Sequence, residues 1–402
     1  MLPRTQPYII FATILAMEVC LYWTRAGLSV AMIAFGVATL LHRDVGTNFK
    51  NFVRSPLLVG LSLLFIVPLV SGLWSADKAT WWDVLRVKLP LLLFPLAFAG
   101  PWQLSPKQWR YIAYSFLLLL LISSLSSFVH YLQNLQAVHE GYLKAKVITT
   151  PLQNDHVRYS WLLACGALLC LFLVHRREEP RLTVVFVILG LWFGVFLHIL
   201  AARTGVLSLY MILVAYAGWM AFRKNTRRGL IGVAALVALP LLAWLVLPTF
   251  QNRIAYFFYD ITHVRDQVYL PGSNDGNRAR SLRAGWHILK ENPLGVGAGD
   301  VQPAADEWYA ANIPGILPAD RIYPSSEWLV YGAVAGWLGV VVFTAAMLLP
   351  FGVRNLRFRF FWIVLNAITA FSFLFDVGLE VQYGVFLYAF LVLWWWKWLK
   401  QF

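Results

Sequence analysis

Arginine side chains concentrate in one long polar interval of the chain, residues 249–326, which lies between hydrophobic segments. The interval carries Arg253, Arg265, Arg278, Arg280, Arg283 and Arg321. A guanidinium group presents several hydrogen-bond donors in a planar fork and stays charged at physiological pH, so it suits the recognition of phosphate groups. The interval therefore suggests a binding site for an anionic ligand that carries a diphosphate.

The rest of the chain is strongly apolar. Of its 402 residues, 60% are hydrophobic and only 13% are charged, and the mean hydropathy is +0.65. A soluble core could not bury that much apolar surface, so the composition predicts a polytopic membrane protein. Cys20, Cys165 and Cys170 all lie in apolar runs, which favours neither a disulfide framework nor a thiolate metal site. No cofactor is expected.

Apolar runs long enough to cross a hydrocarbon core of about 30 Å predict about twelve membrane spans. They lie near residues 7–23, 26–42, 56–73, 85–99, 110–132, 158–175, 181–200, 203–221, 229–248, 327–350, 358–375 and 378–398. The run at 85–99 is the weakest because Pro90 and Pro95 interrupt it. The predicted fold is an all-α integral membrane bundle with about nine spans in residues 1–248 and about three in 327–402. A periplasmic loop subdomain of short helices, 249–326, precedes the tenth span.

Basic residues in alternate connections predict the orientation, because positive charge beside a span is retained in the cytoplasm. These connections carry Arg43, Lys50 and Arg54; Lys107 and Arg110; Arg176, Arg177 and Arg181; Arg223, Lys224, Arg227 and Arg228; and Arg354, Arg357 and Arg359. Both termini are then cytoplasmic, with Arg4 at one end and Lys397 and Lys400 at the other. In a bacterial inner membrane the long loop would face the periplasm. The tryptophans of the terminal WWWKW are interpreted as an interfacial anchor.

A net charge of +14 raises the question of a nucleic-acid partner. Membrane topology alone accounts for most of the cytoplasmic excess, and no RNA- or DNA-binding motif occurs, so a nucleic-acid function is rejected. The chain also lacks the GxxxxGK[ST], HExxH and CxxC patterns. ATP hydrolysis and thiolate metal chemistry are therefore unsupported.

Two arginines stand at places that need an explanation. Arg203, in LAARTGVLSLY, begins a span after almost no connection, and its side chain either extends to the interface or points inward as a ligand. The segment NRARSLRAGWHILKENP predicts a helix from about Asn277 to Lys290, which Pro293 ends. Arg278 lies in the first turn of that helix, where the helix dipole disfavours a cation. A functional reason for Arg278 is correspondingly favoured.

These elements carry a family resemblance. Arg203 within AARTG is one of them, and Arg278, followed by the turn KENPLGVGAGD at 290–300, is the second. The third is PSSEWL at 324–329, followed by YGAVAGWLG, and NDHVRYS at 154–160 also matches. The arrangement over residues 150–345 resembles the O-antigen ligase and polymerase family, whose members have about twelve spans in a GT-C-like bundle and a large late periplasmic loop.

The resemblance implies a glycosyltransferase that takes its glycan from an undecaprenyl-diphosphate-linked donor. Arg203 and Arg278 would contact the diphosphate, with Arg280, Arg158 and His156 as further binding candidates. Arginine forks can neutralise the charge that develops on the leaving diphosphate without a metal ion. The acceptor hydroxyl would attack in line, with inversion at the anomeric carbon, while a group near 325–327 orients or deprotonates it. Membrane lipids surround the donor groove.

One position departs from the family pattern. The family histidine thought to act on the acceptor falls at Ser325, and a serine does not titrate near neutral pH. Three explanations are open: a natural variant that uses Glu327, His156 or another base; an engineered replacement of the histidine; or a relative that no longer transfers glycan. Retention of the arginines favours the first two. The catalytic candidates are Ser325, Glu327, Arg203 and Arg278.

Several activities share this machinery. A ligase transfers to a lipid A-core acceptor, a polymerase to another lipid-linked glycan, and an O-linked oligosaccharyltransferase to protein. The compact loop and the match to PLGVGAGD favour the ligase. A transporter of lipid-linked glycan predicts charges near the bilayer midplane and an internal repeat, neither of which is seen. An inactive relative remains a further alternative because of Ser325.

Overall fold

The structure, a computed structural model, describes residues 5–40, 45–152, 154–177, 179–223, 226–266 and 268–402. Over these residues the chain is entirely helical, without a β-strand. The α-helices are α1 Gln6–Trp23, α2 Arg25–Leu40, α3 Val45–Val53, α4 Pro56–Ser71, α5 Lys78–Lys88, α6 Pro90–Phe98, α7 Pro106–Gln133, α8 Leu135–Tyr142, α9 His156–Arg176, α10 Thr183–Leu200, α11 Arg203–Phe222, α12 Thr226–Val246, α13 Pro248–Arg265, α14 Asn274–Glu291, α15 Val301–Asn312, α16 Glu327–Leu348, α17 Arg359–Phe373 and α18 Gln382–Leu399. Short 3₁₀ turns cover Pro180–Leu182, Pro318–Asp320, Leu349–Gly352 and Gly378–Glu380. The all-α prediction is confirmed.

In the described chain, seven helical segments are long and apolar enough to cross a membrane, or up to eight if α2 and α3 form one bent span. The seven fall in α1, α7, α9, α10, α11, α12 and α16. A multi-pass membrane protein is therefore supported, but the predicted span count is not confirmed. The apolar helices α4 and α17 have 16 and 15 residues, and such helices rise only about 22 to 24 Å, less than the hydrocarbon core.

The weakest predicted span, 85–99, is not found as one helix. α5 ends at Lys88 and α6 begins at Pro90. Proline has no backbone N–H and suits the first position of a helix, so it separates the two short helices. The orientation of the chain stays a prediction, and three of the cations used for it, Arg4, Arg43 and Lys224, lie outside the described residues.

The chain forms two compact units. Unit 1 comprises Met1–Ile112, Ile261–Arg359 and Phe373–Phe402, and unit 2 comprises Ala113–Asp260 and Phe360–Ser372. The predicted loop interval 249–326 contains α13, α14 and α15, so it is helical as expected. Its side of the membrane and the division of the chain at 248 and 326 stay predictions.

In unit 1, α18 is an interior helix. Trp394, Trp395 and Trp398 are at most 1% exposed, and the rings of Trp394 and Trp398 stack with centroids 6.0 Å apart. α18 contacts α5 and α6, which cover this aromatic face. An interfacial anchor would expose these rings to lipid headgroups, so the anchor interpretation of WWWKW is wrong.

A second buried cluster of unit 1 joins α14 and α16, which carry family-like elements, to α15. Side chains of α14, α15 and α16 meet in it, among them Ile288, Tyr309 and Val334. This packing fixes α14, and with it the arginines of its first turns, against the start of α16.

Unit 2 is built around α9, α10, α11 and α12, which contact one another. The starts of α9 and α11 approach closely, since a Cβ atom added at Gly205 would lie 2.5 Å from the Ser160 Cβ. α10 ends with Ala201 in the left-handed conformation at φ 48°. The turn to α11 takes only Ala201 and Ala202, so Arg203 is the first residue of its helix.

Candidate functional site

The glycine-rich turn at 290–300 is inserted into a break in α16. Ala335 and Gly336 have non-helical backbone angles in the middle of that helix. The Val296 amide donates to the Ala333 carbonyl at 2.7 Å, and the Trp337 amide donates to the Pro293 carbonyl at 3.1 Å. A broken helix at membrane depth leaves backbone groups without partners, and here the turn supplies them.

The same turn is anchored on its other side by the segment between α4 and α5. The Ala298 amide donates to the Ser71 hydroxyl at 3.0 Å, and the Gly299 amide donates to the Ser75 hydroxyl at 3.0 Å. The Asp300 carboxylate accepts from the Ser75 hydroxyl at 2.6 Å and from the Ala76 amide at 2.7 Å. Successive amides of PLGVGAGD are thus engaged within the protein. The turn is a structural clamp rather than a phosphate-binding loop.

Position 325 lies against α14, one turn from Arg278. The Ser281 hydroxyl lies 2.8 Å from the Ser325 hydroxyl and also 2.8 Å from the Arg278 carbonyl oxygen, and the Ser325 amide donates to Ser281 Oγ at 3.2 Å. A Cβ atom at Gly285 would lie 2.8 Å from the Pro324 Cβ. Small residues four apart on α14 therefore allow the 324–325 turn to approach the helix closely. Arg278, three residues before Ser281, is half-buried beside this contact.

Arg280, on a neighbouring face of α14, contacts the segment before the helix. Its Nη2 donates to the Val268 carbonyl at 2.8 Å, its Nη1 donates to Asn277 Oδ1 at 3.2 Å, and its Cζ lies 5.1 Å from the Tyr269 ring centroid. Arg280 and the exposed Arg283 also line a cavity of about 350 Å³. Arg280 thus fixes the segment before α14 to the helix through its hydrogen bonds. The same side chain also lines the cavity.

A buried carboxylate fixes the same region. Asp320 accepts from the Tyr269 hydroxyl at 2.6 Å, the Asn277 amide group at 2.7 Å and the Gly272 backbone amide at 3.0 Å. Burial alone would raise the pKa of Asp320, but these hydrogen bonds and the charge of Arg280 hold it below its ordinary value. The carboxylate therefore stays ionised and ties the 3₁₀ turn before α16 to the start of α14.

Glu327, the first residue of α16, is fully buried. Its Oε1 accepts from the Leu379 amide at 2.5 Å, while its Oε2 has no hydrogen-bond donor among the described residues. Nearby, Lys88 Nζ donates to Glu380 Oε1 at 2.5 Å and lies 5.0 Å from the Tyr331 ring centroid. Unit 1 thus places a buried ion pair, Lys88 with Glu380, beside the Glu327 carboxyl.

In unit 2 the start of α9 holds two of the predicted binding residues. Asp155 caps the helix by accepting from the Arg158 amide at 3.0 Å, and the two side chains also form an ion pair. His156 is the first residue of α9 and is half-buried. The contact of Gly205 with Ser160 brings this helix start to the start of α11, where Arg203 lies.

Arg203 lies over an aromatic ring of α13. Its Cζ is 4.6 Å from the Phe257 ring centroid. One turn earlier on α13, the buried Arg253 lies near Tyr142, whose hydroxyl donates to the Leu200 carbonyl at 2.7 Å. Burial raises the pKa of Tyr142, and the charge of Arg253 opposes that rise. In unit 2, Arg158, Arg203 and Arg253 therefore lie near the starts of α9, α11 and α13.

Three features of the site escaped the sequence analysis. Lys88 and Glu380 both fall inside predicted spans, where an ionisable residue is itself a functional signal, yet their pairing across 292 residues carries no local pattern. Arg253 was one of six arginines in the polar interval, and nothing in the sequence set it apart. Asp320 lies in a short loop whose contacts appear only in the folded chain.

The fold and the two groups of residues, one around α14 and α16 and one around α9, α11 and α13, define the class of protein. It is a helical multi-pass membrane protein that carries arginines near the starts of several helices. Residues 191–344 match the model of a protein family described as O-antigen ligase. The match includes Arg203, α14, the glycine-rich turn and most of α16, and it confirms the resemblance to the O-antigen ligase and polymerase family over that segment. Comparison with curated proteins gives no match.

Proposed function

We propose that this chain is an O-antigen ligase-like glycosyltransferase of the bacterial inner membrane. It would move a glycan from undecaprenyl diphosphate to a lipid A-core acceptor in the periplasm. The observation that carries the proposal is the contact of position 325 with α14, one turn from Arg278, inside the segment that matches the family. The helix that carries Arg278 is then in contact with the proposed acceptor-side position, and glycan transfer from a diphosphate requires such groups to be close.

The proposed reaction is a single displacement. The acceptor oxygen forms a bond to the anomeric carbon with inversion, and the bond from that carbon to the donor diphosphate breaks, so the lipid diphosphate leaves with the electron pair. Arg278 and Arg203 would neutralise the charge on the departing diphosphate, with Arg280, Arg158 and His156 as further contacts. The proposal assigns this task to arginines rather than to a metal ion.

The acceptor proton would pass to Glu327. Its Oε2 has no donor among the described residues, whereas its Oε1 is held by the Leu379 amide. Because Glu327 is fully buried, the residues around it would have to rearrange before the acceptor could reach its carboxyl group. Ser325 would then position the acceptor hydroxyl by hydrogen bonding, since a serine cannot take up the proton at neutral pH.

Lipopolysaccharide from a strain that lacks this gene tests the proposal. The strain is complemented with the wild-type chain, with Arg278→Ala, or with Arg265→Ala, which removes an exposed arginine at the end of α13. The wild type and Arg265→Ala should restore long glycan on lipid A-core, whereas Arg278→Ala should leave bare core and accumulate lipid-linked polymer. Core capped with a single repeat in the deletion strain would indicate a polymerase instead. Unchanged glycan pools would remove the chain from this pathway.

A further inference from the structure

Unit 1 contains a second polar cavity, of about 1350 Å³, at the end of α16 opposite to Glu327. The start of α4, the segment after α6, the segment after α16 and the end of α18 surround it. α16 runs from Glu327 to Leu348, and none of the residues that line the cavity belongs to α14 or to the segment 323–327. The cavity is therefore distinct from the arginines of α14 and from the acceptor-side residues of the proposed reaction.

Four basic residues line this cavity: Arg54, Arg354, Lys397 and Lys400. None of the described lining residues is acidic, and no carboxylate among the described residues pairs with any of the four. The first turn of α4 begins here at Pro56 and adds the partial positive charge of a helix N-terminus. Low-dielectric walls concentrate such a field, so the cavity strongly favours an anion.

Two of these basic residues are held in place. Lys397 Nζ donates to the Gly100 carbonyl at 2.6 Å and lies 4.6 Å from the Trp102 ring centroid. Lys400 Nζ lies 3.8 Å from the Trp396 ring centroid. A fixed ammonium group loses less conformational entropy on binding than a freely moving one. The topology rule accounts for the presence of basic residues at this end of the spans, but it does not account for their convergence on one acid-free cavity.

We propose that this cavity binds a phosphate group, carried by an anionic membrane phospholipid or free in solution. The cavity opens at the ends of membrane helices, where lipid headgroups lie, and basic pockets between such helices suit phosphodiester headgroups. The aromatic rings of Trp102 and Trp396 give the lipid glycerol region an apolar contact. Binding at this end does not depend on the proposed glycan transfer.

Native mass spectrometry of the detergent-solubilised full chain tests the site, with phosphatidylglycerol, phosphatidylcholine and inorganic phosphate as separate probes. The double variant Arg354→Gln/Lys400→Gln removes two exposed charges. Each is worth about 1 kcal/mol to an anionic headgroup, so phosphatidylglycerol binding should weaken about thirtyfold. The matched control is Arg357→Gln, an exposed arginine next to the cavity that does not line it, and it should bind as the wild type does. Lys400→Arg preserves the charge and should also bind.

The outcomes separate the two sources of phosphate. Retention of phosphatidylglycerol over phosphatidylcholine, lost only in the double variant, supports a lipid headgroup site. Inorganic phosphate that binds equally well, and that is lost in the same variant, supports a site for the free anion. Equal binding of every probe to the wild type, the double variant and Arg357→Gln would overturn the proposal, because the cavity charges would then contribute nothing to binding. A loss in Arg357→Gln as large as that in the double variant would overturn it too, because the charges would then act only through general surface potential.

Discussion

Glu327 combines two properties at the scale of a single residue. It is enclosed by protein, and only one of its two carboxyl oxygens has a donor among the described residues. An acid that served only to hold the Gly378–Glu380 turn would need no more than the Leu379 contact. A glutamine at this position retains the oxygen that accepts from Leu379 and loses the ability to take up a proton, so it separates the structural role from the chemical one.

We expect Glu327→Gln to lower the rate of glycan transfer by about a hundred- to ten-thousandfold, the range of general base catalysis. Its thermal unfolding midpoint in detergent should stay close to that of the wild type. Glu307→Gln changes an exposed glutamate of α15 and should leave the rate unchanged. Transfer at the wild-type rate by Glu327→Gln would show that the proton goes elsewhere, and His156→Gln would then be the next variant to measure.

At the scale of elements, the break in α16 depends on Gly336. Its φ is +62° and its ψ is −149°, a region that only glycine occupies readily, and an added Cβ would lie 1.8 Å from the Pro293 oxygen. We expect Gly336→Ala to destabilise the protein by at least about 1–3 kcal/mol, the usual cost of such backbone strain, with the clash adding to it. Gly352→Ala, just beyond the same helix, meets no atom within 4 Å and should be neutral. Thermal unfolding in detergent measures both, and equal midpoints would mean that the turn does not clamp α16.

Local patterns predicted α14 well because a helix start, an apolar periodicity and a terminating proline lie within one segment. The predicted range of about Asn277 to Lys290 compares with Asn274–Glu291 in the structure. The earlier start places Arg278 beyond the first turn, so the prediction that it lies where the helix dipole disfavours a cation is wrong. The break in α16 was not predicted, because an apolar run containing Gly336 reads as a continuous span until the 293–297 turn is seen in contact with it. The contact of position 325 with Ser281 likewise joins residues 44 apart in the chain. Family motifs identified these segments, and only the fold shows that the 293–300 turn clamps α16.

At the scale of the whole molecule, the arginines proposed to bind the donor are divided between two compact units. Arg278 belongs to unit 1, and Arg203 belongs to unit 2. If both arginines contact one diphosphate, the effects of their substitutions on the rate of transfer must be coupled, because the loss of either contact already leaves the diphosphate poorly held. If they serve separate tasks, the free-energy costs of the two substitutions should add.

We expect Arg203→Ala and Arg278→Ala each to lower kcat/KM for glycan transfer by about a hundred- to a thousandfold, as the loss of one charge-stabilising donor usually does. The double variant should then lose less than the product of the two single effects, since residues that act as a unit are not additive. Arg223→Ala, just beyond the other end of α11, and Arg265→Ala, at the end of α13, form the control pair and should leave transfer unchanged. Strictly multiplicative losses in the double variant would assign the two arginines to independent steps. In that case the assignment of both arginines to one diphosphate would have to be abandoned.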